Sequence, residues 1–197
     1  MVDLPMFPDL PRQGDPVREM TYAGVGRFID CWESVEFELS RTFSAAMGHL
    51  DGRIIPFYGE KGKIFRERLG LLKLAVDHHF IVSPNQEMEA RFDRLVEDVS
   101  WFADRRNDVA HTVVFDLSSL TSFTKLVPPP ESGAHHFAVP PLYAFTRRAE
   151  GRGKSPPFAF SSAELDVLCQ CATDLLVECR KFRHDLFPGE WPDEQRA

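Results

Sequence analysis

Four stretches of this 197-residue chain repeat apolar side chains at alternating steps of three and four. At about 100° per helical residue, such positions line up as one stripe that has to be covered. The first stretch, about residues 15–50, carries Val25, Phe28, Trp32, Val35, Leu39, Phe43, Ala46 and Leu50. Asp15 and Pro16 are expected as its N-cap and first-turn proline, and Gly24 with Gly26 mark where it can break. The second, about residues 63–80, carries Phe65, Leu69, Leu72, Val76 and Phe80; residues 54–62 before it, with Pro56, Gly59 and Gly62, are expected to be loop. The third opens on Ser83, Pro84 and Gln86, a capping-box pattern. It continues through Met88, Phe92, Leu95, Val99, Phe102, position 106, Val109 and Val113. The fourth opens on a second capping box, Ser161 and Glu164. It runs through Leu165, Leu168, Ala172, Leu175, Cys179, Phe182 and Leu186 to a stop at Pro188 and Gly189. Four such seams are buried most simply against one another, so the expected fold class is mainly α, a four-helix bundle.

Some 45 residues of other character separate the third and fourth helices. They hold the prolines 128–130 and the pair Pro140 and Pro141. Residues 143–148 and 158–160 flank Glu150-Gly151-Arg152-Gly153, which is the pattern of a small β-hairpin before the last helix. An insertion of that length in a compact domain usually packs over a site or serves one. The expected layout is an extended arm over 1–14, a helical domain over 15–187 with its insertion at about 114–160, and a tail over 188–197. The longest apolar runs are too short for a transmembrane helix, so no membrane association is expected. Residues 1–12 lack the basic and apolar regions of an ordinary secretion signal. Cys31, Cys169, Cys171 and Cys179 have neither CxxC nor zinc-finger spacing and read as small hydrophobes in a reduced core, hence a cytoplasmic protein.

Lys and Arg total 23 against 30 Asp and Glu, a net charge of −7, so binding to a polyanion must come from a local site. The most basic stretch, Arg147, Arg148, Arg152 and Lys154, lies on the expected hairpin, as a phosphate contact or as a solvated turn. Arg180, Lys181, Arg183 and His184 suit the C-terminal dipole of the last helix. The pairs His78-His79 and His135-His136 show no metal-ligand spacing, and no metal or cofactor is expected. P-loop, GxGxxG, HExxH and GxSxG patterns are absent from the sequence.

One position breaks the third stripe. Where the seam requires an apolar side chain the chain has Arg106. A guanidinium there is either paired, as a snorkelling arginine would be with Asp104, Asp108 or a glutamate of another helix, or it serves a site. Asn107 and His111 follow it, four apart and therefore on one helical face. The set offers a cation for a phosphate or phosphorane, an amide to orient it, and an imidazole that exchanges protons near neutral pH. These are the parts needed to cleave RNA without a metal.

The run Arg106-Asn107-Asp108-Val109-Ala110-His111, late in the third helix of an all-α layout, resembles the R-x4-6-H motif of the HEPN superfamily. The resemblance spans about residues 15–187. It implies a homodimer whose motif helices face each other, so that two copies of the arginine and histidine line one cleft. It also implies a metal-independent endoribonuclease of toxin–antitoxin or antiviral defence type, with RNA as substrate and an antitoxin or defence-system protein as partner. Arg106 and His111 would be catalytic and Asn107 supporting, with Arg105, Arg147, Arg148, Arg152 and Lys154 as RNA contacts. A sub-branch carries a tyrosine two residues after the histidine, as the target of its antitoxin; this chain has Val113 there. Other members are catalytically silent binding or scaffolding modules that dock a protein or a nucleotide, and that is the alternative expectation. A third is a plain structural bundle.

Overall fold

The computed structural model describes residues 13–116, 135–140 and 159–189. Among them the order is α1 (Arg18–Ala46), α2 (Ile55–Lys61), α3 (Phe65–Val82), α4 (Gln86–Ala110), β1 (Val113–Asp116), β2 (His136–Val139) and α5 (Ser162–Leu186). The chain is mainly helical, bundle-like, with a small antiparallel hairpin before the last helix. Its described residues group into two compact units. One comprises 33–103 and 173–189; the other comprises 13–32, 104–116, 135–140 and 159–172.

In the first unit the stripes meet as the periodicity requires. Leu39 and Phe43 of α1, Leu72 and Val76 of α3, Phe92, Val99 and Phe102 of α4, and Leu175, Cys179 and Phe182 of α5 are all buried. Phe92 stacks on Phe182 with ring centroids 5.4 Å apart, and removal of either ring is worth about 3–5 kcal/mol. α1 stops at Ala46 rather than running on to residue 50, because Gly48 takes a left-handed conformation at φ 82°. Gly48 N–H then donates to Ala45 O at 2.8 Å and His49 N–H to Ser44 O at 2.9 Å, a Schellman closure. Residues 54–62, expected as loop, contain α2. Pro56 sits in its first turn, where a missing N–H leaves no bond unmade, and Tyr58 is buried 5.1 Å from the Phe43 ring. The expected cap of α4 also moves. Ser83 closes α3, its N–H donating to His79 O at 2.8 Å, while Asn85 Oδ1 accepts from Met88 N–H at 3.1 Å and caps α4.

In the second unit Phe28 and Trp32 of α1, Val109 of α4, and Leu165, Leu168 and Ala172 of α5 are buried. α1 continues unbroken through Gly24 and Gly26. A Cβ on Gly24 would lie 3.0 Å from Leu165 Cδ1, so α1 and α5 approach closely there. Arg27 donates to Asp166 at 2.7 Å. The two contacts advance together along the chain, so the helices run in the same direction. α4 ends at Ala110, with Thr112 N–H and Oγ1 both donating to Val109 O at 3.1 and 2.7 Å. Val113, placed by the periodicity on the helix, therefore begins β1 and pairs with Val139. The described hairpin joins 113–116 to 136–139; the expected arm 143–148 and the turn 150–153 lie outside the described residues, as do 1–12 and 190–197. Phe160, from the other expected arm, makes a bridge to Ala138 with N–H to O distances of 2.8 and 2.9 Å.

Asp15, expected as the N-cap of α1, instead joins three elements. Its carboxylate accepts from Thr21 Oγ1 at 2.6 Å, Ser162 Oγ at 2.6 Å and Ser162 N–H at 2.9 Å. Its backbone pairs with that of His136. The carboxylate thus caps α5, where the helix dipole favours negative charge. The expected box at the same end is present, with Ser161 N–H donating to Glu164 Oε2 at 2.7 Å. Among the described residues no helix is long and apolar enough to cross a membrane.

Candidate functional site

The second unit carries the motif on the last turn of α4. Phe102 and Val109 on its seam are completely buried, and Arg106 between them is half-buried. The position the stripe reserves for an apolar side chain is thus filled by a guanidinium that still meets solvent. Arg106 Nη1 donates to Asn107 Oδ1 at 3.5 Å, a long contact that turns the amide and the cation toward each other. Asn107 itself is exposed.

His111 is the first residue beyond α4, and it is exposed. Its N–H still donates to Asn107 O at 3.2 Å, so its backbone completes the helical turn and its side chain follows Asn107 on the same face. Two residues later β1 begins. The imidazole is therefore mounted on a backbone held from both sides, by the closing turn of α4 and by the Val113 to Val139 pairing.

The remaining expected contacts divide. Arg105 is half-buried and bonded to Asp108, Nη2 to Oδ2 at 3.0 Å. That ion pair draws it along the helix and away from the role of a free phosphate ligand. Arg147, Arg148, Arg152 and Lys154 lie outside the described residues. Asp104 is exposed three residues before Asn107, so an acidic group stands on the helical face that Asn107 and His111 share. Among the described residues no group of three or more His, Cys, Asp or Glu is placed to hold a metal ion.

Sequence reasoning missed the most deeply buried charge. Arg183, assigned to the helix dipole, is completely buried and donates to Glu38, which is 2% exposed; Arg180 lies 3.8 Å from the same carboxylate. Both residues flank apolar stripe positions, Leu39 on α1 and Phe182 on α5. A charge of each sign beside two seams was the available signal, but it became informative only once those helices were known to be neighbours. Comparison with protein-family models, with curated proteins and with solved structures finds no match to this chain.

Proposed function

We propose that this chain is a metal-independent endoribonuclease of the defence or toxin type. Arg106 and His111 are its catalytic residues, Asn107 is in support, and a second copy completes the cleft. The observation that carries this reading is the placement of a half-buried seam arginine, an exposed asparagine and an exposed histidine on one closing turn. In the mechanism an imidazole removes the proton from a ribose 2′-hydroxyl, whose oxygen attacks the adjacent phosphorus. A guanidinium stabilises the charge that builds on the phosphorane oxygens. The 5′-oxygen leaves with a proton from the second imidazole, and the products are a cyclic phosphate and a 5′-hydroxyl. A single exposed histidine cannot serve both faces of the phosphate, which is why the reading includes a dimer.

Cleavage by purified protein in EDTA, compared with His111→Ala, tests the reading. A loss of about 10²–10⁴-fold with an unchanged fold is expected, since a positioned acid–base group contributes about that much. EDTA-sensitive cleavage, or full activity in His111→Ala, removes the mechanism. A second reading, a HEPN-like module that binds without cleaving, is favoured by the exposed Asp104, which opposes RNA at this turn. Retained RNA binding or partner binding with no cleavage in the wild type supports that reading instead.

A further inference from the structure

We infer that Cys31 on α1 and Cys169 on α5 form a redox modification site, a dithiol that a peroxide oxidises to a disulfide joining the two helices. The inference does not rest on the ribonuclease reading. It starts from the register of the two helices within the second unit. Gly24 sits against Leu165 and Ser162, and Arg27 bonds to Asp166 at 2.7 and 3.1 Å. One further turn along each helix brings Cys31 opposite Cys169, close enough for the Cys31 thiol to act on the Cys169 thiol. A disulfide asks for Cα atoms about 4.4–6.8 Å apart, and the glycine contact two turns earlier draws the same two helices together.

Neither cysteine is in a disulfide and both are half-buried, so a small oxidant has access. Burial first, and then the neighbouring Cys31 thiol, push Cys169 up to about 12, so at neutral pH it keeps its proton and donates it. With Cys169 held protonated, the Cys31 sulfur is the one that attacks the peroxide first. Its sulfur takes one peroxide oxygen and becomes a sulfenic acid, with release of one water. Cys169 sulfur then displaces the hydroxyl, the S–S bond forms, and the Cys169 proton leaves with the hydroxyl as a second water. Two thiols and one peroxide give one disulfide and two waters. Cys171, two residues on, points 200° around the helix from Cys169 at about 100° per residue and is not a partner. Cys179 is completely buried in the first unit and takes no part.

The test uses the full chain, reduced, treated with hydrogen peroxide, then denatured and alkylated with N-ethylmaleimide. Of the four cysteines, two are expected to remain alkylatable after oxidation, against four when dithiothreitol precedes alkylation. Fragmentation of the proteolytic digest should place the cross-link between residues 31 and 169. The link should persist in Cys171→Ser and vanish in both Cys31→Ser and Cys169→Ser. The wild-type digest answers the question even where a serine variant folds poorly. Four alkylated cysteines after peroxide, a link through Cys171 or Cys179, or a link that survives in either single variant overturns the inference.

Discussion

Arg183 and Arg106 are two arginines placed against apolar seams, and the chain treats them in opposite ways. Arg183, in the first unit, is withdrawn entirely from water and set on the carboxylate of Glu38. Arg106, in the second unit, is only partly buried on the last turn of α4, with the Asn107 amide as a near neighbour and His111 just beyond that turn. A completely buried guanidinium requires a carboxylate, because neither charge alone tolerates the interior. A half-buried one, with the Asn107 amide beside it, keeps part of its surface in water, so its charge needs no buried carboxylate. The difference separates a charge committed to packing from one that our proposal assigns to chemistry.

The comparison sharpens first at the buried pair. Glu38→Ala leaves the Arg183 charge without its carboxylate in the core and should destabilise the chain by about 3–5 kcal/mol in urea unfolding. The double variant Glu38→Met with Arg183→Met should lose less than the sum of the two single changes, since isosteric apolar replacement of a buried pair is often close to neutral. Additive losses would mean that the two side chains do not act as a pair.

A smaller effect is expected at Asp15, the buried polar node of the second unit. Asp15→Ala removes the acceptor for Thr21 Oγ1, Ser162 Oγ and Ser162 N–H. A loss of about 1–3 kcal/mol follows from a broken cap and unsatisfied donors. A neutral Asp15→Ala would show that α5 starts without this contact.

The smallest effect lies at alkaline pH. Complete burial, then Glu38 nearby, push the Cys179 thiol up from its ordinary 9.0, and burial does the same to the Tyr58 hydroxyl. The folded chain therefore holds protons that the unfolded chain releases. Its stability from these groups is full below about pH 9 and declines as the pH rises toward the raised values. Urea midpoints measured across that range should fall, and more gently in Cys179→Ala. Equal slopes in both proteins would remove Cys179 from the account.

The helical architecture was legible because the stripe that predicts burial is the stripe that is buried. Phe28, Trp32, Val99, Phe102, Leu175 and Phe182 fall where the three-and-four spacing puts them, and all are completely buried. Boundaries were harder to see, since Gly48, Asn85 and Thr112 end or start helices through one or two local hydrogen bonds that leave no periodic trace. The pairing of 113–116 with 136–139 was not read from the sequence, because these segments are four residues long and separated by 19 residues. At the site, Arg106 was visible as a break in an otherwise apolar series, with Asn107 and His111 at their spacing beside it. Arg183 was not visible, because it interrupts no stripe and its partner lies 145 positions away. Asp15 was seen as a cap but attached to the wrong helix; a capping side chain is chosen by three-dimensional neighbourhood, and α5 reaches it from far along the chain.

RNA cleavage in EDTA by wild type and Arg106→Ala, with the urea midpoint of the same samples, tests most directly whether Arg106 is held for chemistry. The account predicts that Arg106→Ala loses cleavage by about 10²-fold or more, while its stability changes by no more than about 1 kcal/mol, far less than in Glu38→Ala. Undiminished cleavage in Arg106→Ala, or a stability loss as large as that of Glu38→Ala, would contradict it and make Arg106 a second structural arginine.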